Sequence, residues 1–116
     1  MNKYDEMSDF EINKAVASAK NYSVIIDCGN SASVYCGFKG LESTQDERDY
    51  CNNPADMWPI IVENHMSVEL PIPSICDTGT VTIYNHYGTD WYINFKQGEN
   101  PLRAAAIVFL MMKDAD

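Results

Sequence analysis

Three consecutive residues, Asp77-Thr78-Gly79, form the tripeptide that aspartic proteases carry at their catalytic centre. Two such loops, one from each subunit of a dimer, would place paired carboxylates around one water and share a proton between them. No later apolar-apolar-Gly segment follows to brace such a loop. Asp and Gly are also the residues that a tight turn requires. We therefore interpret the tripeptide as a turn before a strand at residue 80, and keep a small hydrolase or nuclease that uses Asp77 with other carboxylates as an alternative.

A second group of residues could form a catalytic set with a thiol nucleophile. It would consist of Cys51, His65 and a carboxylate such as Asp49. Any chain with four cysteines and two histidines contains such combinations, so a small buried thiol and a surface imidazole are the simpler interpretation. No C-x-x-C pair is present, which argues against zinc, and no glycine-rich phosphate loop is present. We assign no catalytic, cofactor-binding or metal-binding residue and expect a non-enzymatic protein. In a reducing cytoplasm its free thiols would be Cys28, Cys36, Cys51 and Cys76.

The chain is strongly acidic: 17 acidic residues stand against 8 basic ones, for a net charge of −9. The excess lies in residues 1–11 and 42–69, and the second region holds seven acidic residues beside Arg48 alone. Affinity for nucleic acids and for anionic membranes comes from Lys and Arg, so neither is an expected partner. The acidic residues form either a solvated face or a patch that meets a basic protein partner.

The final segment is the most apolar part of the chain. Asn100 can cap a helix, Pro101 suits the first turn, and nine uninterrupted apolar residues follow from Ala104 to Met112. A helix that is apolar on every side must be buried on every side. We predict that this helix is the centre of the core, since it is too short to cross a bilayer. The first residues also lack the apolar region of a signal peptide.

The first half of the chain predicts one helix and one hairpin. Ser8 can cap a helix and Glu11 completes a capping box, which predicts a helix over residues 9–20. A β-branched stretch at 23–28 and an alternating stretch at 34–38 predict two strands joined by a turn. The polar, acidic stretch that follows, residues 40–53, is predicted to be a surface loop.

Pro59 interrupts the next apolar stretch. A proline inside a helix removes a hydrogen bond and clashes with the preceding turn. We therefore predict a turn at 54–56 and a helix near 57–65 that carries Pro59 in its first turn. The side chains expected to face the core are Trp58, Ile61, Val62 and Met66.

Two stretches at 81–84 and 91–96 alternate between apolar and polar residues and predict a second hairpin. The order helix, hairpin, helix, hairpin, helix favours α+β over doubly wound α/β, because parallel βαβ units need a helix between successive strands. We predict a single domain over residues 1–116. It would contain a small antiparallel sheet of about four strands with about three helices on one face.

Three rings alternate onto the sheet face opposite Ile83 and Ile93, namely Tyr84, His86 and Tyr92. If the helices cover only one face, these rings are exposed. Exposed tyrosines favour protein contacts, because they give a large contact area at low entropic cost. A dimer partner or the N-terminal helix lying on that face would explain them equally well.

Three segments carry a resemblance to a known family: Ser8-Asp9-Phe10-Glu11-Ile12-Asn13, Asp49 to Ile61 (DYCNNPADMWPII), and Asn100-Pro101-Leu102-Arg103-Ala104-Ala105. In order and approximate spacing they resemble the NinX proteins of lambdoid bacteriophages, and they span most of the chain. NinX proteins lie in an accessory region of these phage genomes, beside recombination and late-control genes. The resemblance implies a phage or prophage protein in the cytoplasm of the bacterial host, and it implies no catalytic or ligand residues.

The sequence thus favours a non-enzymatic phage or prophage accessory protein that binds a host or phage protein through an acidic surface. One concrete version is an anti-CRISPR-like inhibitor of a nucleic-acid-binding defence or repair complex. A homo-oligomeric structural module, for example a homodimer, is another class that fits the exposed rings. The residues predicted to bind the partner are Glu42, Asp46, Glu47, Asp49, Tyr50, Tyr84, His86 and Tyr92.

Overall fold

The computed structural model describes residues 3–20, 22–25, 34–38, 41–72, 74–84 and 90–115, with the backbone alone at 22–25, 34–38, 41–47 and 115. Within these described residues, a 3-10 helix at Lys3–Glu6 precedes three α-helices and six β-strands. The helices are α1 (Asp9–Ala19), α2 (Pro54–Glu63) and α3 (Pro101–Ala115). The strands are β1 (Tyr22–Ile25), β2 (Val34–Phe38), β3 (Leu41–Arg48), β4 (Ser67–Glu69), β5 (Thr78–Ile83) and β6 (Trp91–Lys96).

Helix α3 forms the centre of the core, as predicted. Every residue from Ala104 to Leu110 is buried, and the helix contacts α1, α2, β5 and β6. The three consecutive alanines let neighbouring elements approach closely, while Ile107, Val108 and Phe109 fill the space between them. Within the described part of the chain, no helix is long and apolar enough to cross a membrane.

Helix α1 begins where the sequence predicts. The Glu11 N–H donates to Ser8 Oγ at 3.1 Å, which satisfies one of the free N–H groups at the start of the helix. The buried side chains Ile12, Val16 and Ala17 form the stripe that packs against α3. The 3.6-residue periodicity of the sequence was therefore sufficient to place this helix.

The described strands form two antiparallel three-stranded sheets, with orders β1-β2-β3 and β4-β5-β6. The first sheet contacts α1, and the second packs against α3. The α+β class and both predicted hairpins, β1–β2 and β5–β6, are confirmed. The expected single sheet of about four strands undercounts the described strands, because β3 and β4 were not predicted. The predicted turn at 28–31 lies outside the described residues.

The prediction of a surface loop at 40–53 is wrong over Leu41–Arg48. This stretch is β3, which pairs with β2 in a register that sets Tyr35 opposite Glu47 and contains a bulge between Cys36 and Phe38. A strand at the edge of a sheet needs only one neighbour, and charged residues there discourage further pairing. Such a strand lacks the apolar alternation from which strands are predicted.

The prediction for α2 is wrong in its start and its rotation. The helix begins at Pro54, because Asn53 Oδ1 accepts a hydrogen bond from the Ala55 N–H at 3.0 Å, and it continues through Pro59. Met57 and Ile60 are fully buried, whereas the side chains predicted to face the core, Trp58 and Val62, are 62% and 52% exposed. Ile61 and Met66 do pack against the core, as predicted.

Candidate functional site

A cluster of polar and thiol side chains joins three segments that are distant in the sequence. It links the start of α1, the stretch that leads into α2, and the start of α3. We call this cluster the polar junction. Its members are Asp9, Asn13, Asp49, Cys51, Asn52, Asn100 and Arg103.

Arg103 ties the N-terminal segment to α3. Its Nη1 donates to Asp9 Oδ1 at 2.6 Å, and its Nη2 donates to the Met7 carbonyl at 2.6 Å. The two ion-paired side chains are only 23% and 34% exposed. A guanidinium presents several N–H donors in a rigid plane, so one arginine can hold a carboxylate and a backbone carbonyl together. The guanidinium of Arg103 is therefore bonded to groups of the protein itself.

Asn13 holds the chain before α2 against α1. Its side chain is fully buried; Nδ2 donates to Asp49 Oδ1 at 2.8 Å, and Oδ1 accepts from the Cys51 N–H at 3.0 Å. A buried amide is tolerated when its donor and acceptor atoms have partners, as both have here. Asn13 thus contributes hydrogen bonds that an apolar residue of the same size could not make.

Asn100 links α3 to the same stretch. Its Oδ1 accepts from the Leu102 N–H at 3.0 Å, which is the helix cap that the sequence predicts. Its Nδ2 donates to the Cys51 carbonyl at 2.5 Å and to Asn52 Oδ1 at 3.1 Å. One side chain therefore starts the central helix and fixes it to the segment that leads into α2.

Cys51 lies inside the junction as a neutral thiol. Burial, followed by the negative charge of Asp9, raises the pKa of Cys51 to about 12. A thiolate is the reactive form of cysteine, and its population at neutral pH is negligible when the pKa is this high. His65, the histidine of the predicted nucleophile set, is exposed just after α2 with a φ of 51°. The structure thus places Cys51 as a packing residue.

This difference between thiols can be measured. We expect iodoacetamide at pH 8 to modify the exposed Cys76 rapidly in the native protein and to leave Cys51 unmodified until the protein is unfolded. Peptide mapping by mass spectrometry resolves the two sites, and Cys76→Ser serves as the control that removes the fast site. Alkylation of native Cys51 at the rate of Cys76 would contradict a buried, protonated thiol.

The predicted partner-binding acids lie on or beside one strand. Glu42, Asp46 and Glu47 belong to β3, the edge of the first sheet among the described residues, and Asp49 follows that strand. The Asp49 carboxylate accepts hydrogen bonds from the side chains of Asn13 and Asn52 inside the polar junction. Tyr50 is only 2% exposed, so its ring belongs to the core rather than to a surface that a partner could contact.

The structure describes two of the three rings that were predicted to be exposed on one sheet face. Tyr84 and Tyr92 are 61% and 54% exposed, while Ile83 on the opposite face of the second sheet is buried. Both rings are therefore accessible on the face that does not pack against α3. His86 lies outside the described residues, and its position relative to the two rings stays a prediction.

The predicted turn at 77–79 is wrong at Thr78 and Gly79, because β5 begins at Thr78 and only Asp77 precedes it. Asp77 is exposed, its carbonyl accepts from the Gln97 N–H at 3.0 Å, and Gly79 is buried beneath the chain at Glu69 and Pro71. The glycine is required because the backbone of another segment passes directly over it. Within the described residues, no group of three or more His, Cys, Asp or Glu side chains could hold a metal ion.

Four of the described basic side chains form ion pairs with the protein's own carboxylates, while Lys14, Lys96 and Lys113 are exposed. Such pairs leave the cations unavailable to an anionic partner while other acids stay exposed, among them Glu69, Asp77 and Glu99. The ion pairs between described residues are Lys3–Asp114 at 3.2 Å, Lys20–Glu63 at 2.7 Å, Arg48–Asp56 at 3.6 Å and Arg103–Asp9 at 2.6 Å.

These features define an α+β protein whose distant segments are held together by an internal polar junction and whose surface is acidic. Residues 3–113 match the model of a protein family described as Bacteriophage P22, NinX. The chain therefore belongs to the NinX family of phage proteins. Comparisons with curated proteins and with solved structures gave no match. The three segments that carry the sequence resemblance are the ones that the polar junction brings into contact.

Proposed function

We propose that this phage protein acts without catalysis, by binding a basic protein of the host or the phage through the acidic strand β3. The biological setting that fits this chemistry is inhibition of a defence or repair complex that grips nucleic acid, in the manner of anti-CRISPR proteins. Such complexes present basic grooves to phosphate groups, and an acidic protein can occupy a groove of that kind. Membership of a phage family supports the setting.

The observation that carries the proposal is the imbalance of available charge. The net charge is −9, and described cations such as Lys20, Arg48 and Arg103 are held in ion pairs within the chain. Direct binding to a nucleic-acid backbone needs available cations, whereas binding to a basic protein needs available anions. The exposed rings of Tyr84 and Tyr92 offer a second contact area on the other sheet.

The experiment is a capture of partners from host lysate with the full chain, followed by a charge reversal on β3. We expect a partner that is retained at low salt, released at high salt, and lost by the double variant Asp46→Lys/Glu47→Lys. Electrostatic attraction between exposed groups is screened by salt, which is why the salt dependence identifies the charge contribution.

The matched control is the double variant Glu69→Lys/Asp77→Lys, which changes the net charge equally at exposed positions of the other sheet. The control should keep the partner if β3 is the binding surface. Absence of a partner at both salt concentrations, or equal losses in the two double variants, would contradict the proposal.

A further inference from the structure

The outer edge of β6 presents backbone groups that no other described strand uses. The Gln97 N–H donates to the Asp77 carbonyl, which continues the β5–β6 ladder and fixes the alternation of hydrogen-bonded pairs. In this alternation Trp91, Ile93 and Phe95 direct their N–H and C=O groups toward β5. Tyr92, Asn94 and Lys96 direct theirs away from the sheet. The Lys96 N–H donates to Glu99 Oε1 at 2.8 Å, so Tyr92 and Asn94 supply the backbone groups that a further strand could use.

A cleft of about 320 Å³ runs beside this edge, between β6 and α3. Its apolar lining includes Ile93, Ala104 and Ile107, and its polar lining includes Asp5 and Glu99. Arg103 also lines the cleft, but its guanidinium is held by Asp9 and by the Met7 carbonyl. The cleft therefore combines an apolar floor with acidic side chains, directly beside outward-facing backbone groups.

We propose that an extended segment of a protein partner adds to β6 as a fourth strand of the second sheet. The main chain of the segment bonds to Tyr92 and Asn94, one apolar side chain enters the cleft, and flanking Lys or Arg side chains approach Asp5 and Glu99. An extended peptide beside an edge strand gains affinity from its main chain and specificity from alternate side chains. The proposal rests on the proposed function only in taking the partner to be basic.

The charge of the site decides between a basic segment and a second copy of this chain. A second copy would bring another net charge of −9 and its own Asp5 and Glu99 toward the same edge. Like charges placed together at an interface disfavour that pairing, whereas a segment containing Lys or Arg is attracted. We therefore take the occupant to be a basic segment of a different protein.

The first test uses a defined probe, a nine-residue peptide of alternating lysine and valine with blocked ends. We expect the full chain to bind it, to bind the equivalent glutamate–valine peptide much more weakly, and to lose at least about tenfold in affinity when Asn94→Pro removes one outward N–H. Proline is tolerated on an edge strand when its nitrogen faces away from the neighbouring strand. Asn94→Ala is the matched control, because it also removes the side-chain contact with Thr80 but keeps the N–H.

The second test needs no variant. Bound peptide should slow hydrogen exchange at the amides of Tyr92 and Asn94, and should leave the amides of Trp91, Ile93 and Phe95, which already bond to β5, unchanged. This alternation distinguishes an added strand from a peptide held only by charge. It also decides the question if Asn94→Pro does not fold.

The peptide tests would overturn the proposal by any of three results: no binding of the lysine–valine peptide, equal binding by Asn94→Pro and Asn94→Ala, or protection of amides away from β6. Sedimentation that shows a dimer of the chain, lost in Asn94→Pro, would identify a second copy as the occupant and would also overturn it. The proposed function is tested separately. A partner that depends on Asn94 but tolerates the β3 charge reversal would leave this inference standing and place the binding surface away from β3.

Discussion

Replacing Asn13 with aspartate is expected to destabilise the fold by about 3–5 kcal/mol at neutral pH. Asn13 is fully buried, and its Nδ2 donates to the Asp49 carboxylate at 2.8 Å. A carboxylate of the same shape can still accept from the Cys51 N–H, but it offers Asp49 a negative charge instead of a donor. The polar junction would then contain two facing anions, of which the introduced one is fully buried.

The pH dependence of Asn13→Asp follows from the same contact. Repulsion by Asp49 would raise the pKa of the introduced carboxyl in the folded state above its value in the unfolded chain, which is about 4. The folded state then binds the proton more tightly than the unfolded state, so the deficit is present at neutral pH and shrinks as the pH falls toward that value. Urea unfolding at pH 7 and pH 4.5 measures both quantities.

The matched control is Asn94→Asp, the same substitution on an exposed residue. The Thr80 hydroxyl donates to Asn94 Oδ1 at 2.9 Å, and an aspartate can accept the same bond. We expect a change in the free energy of unfolding within about 0.5 kcal/mol. Similar losses in the two variants, or a loss in Asn13→Asp that does not depend on pH, would mean that burial beside Asp49 is not the cause.

The parts of the fold that the sequence predicts are those with a local signal. Helix α1 has a capping serine and an apolar stripe, and α3 has a capping asparagine followed by residues that must all be buried. In β6, apolar and polar residues alternate cleanly, as expected for a strand with one buried face. In each case the pattern of a few neighbouring residues decides the structure.

The sequence predictions are wrong for elements whose structure depends on residues that are close in space but distant in the sequence. Strand β3 is polar throughout much of its length and exists because β2 pairs with it, while β4 has only three residues and pairs with β5. The apolar residues of α2 fit more than one rotation, and its packing against α3 buries Met57 rather than Trp58. Such pairing and packing bring together residues that are distant in the sequence. The residues next to them in the sequence do not indicate these contacts.

The polar junction illustrates the same limit for the candidate site. Asp9 and Arg103 are 94 residues apart, and each is an ordinary residue in its own segment. The sequence contains one usable signal, which is that Asn13 lies beside Ile12, Val16 and Ala17 on the apolar face of α1. The role of Asn13 becomes visible only when the fold brings the three segments into contact. In this chain, residues of the three segments that resemble the NinX family therefore hold the fold together.

Replacing Gly79 with alanine is expected to destabilise the protein by about 3 kcal/mol, at the upper end of the usual range for overpacking. An added Cβ would overlap the Glu69 carbonyl and would lie 2.6 Å from Phe95 Cζ and 2.9 Å from Pro71 Cδ. A carbonyl and a proline ring in the main chain cannot move aside as the end of a flexible side chain can. The second sheet must therefore shift where β4 leads into the next loop.

Two further variants distinguish steric overlap at Gly79 from other causes of a lower free energy of unfolding. Asp77→Asn changes an exposed neighbour and should leave the free energy of unfolding within about 0.5 kcal/mol of wild type. Gly98→Ala meets no atom within 4 Å but sits at a φ of 91°, so only backbone strain should be felt, at about 1 kcal/mol. Wild-type stability for Gly79→Ala in urea unfolding would show that β5 does not lie so closely under Glu69. A loss in Gly79→Ala that clearly exceeds the losses in Asp77→Asn and Gly98→Ala would assign the glycine of the Asp77-Thr78-Gly79 tripeptide to packing.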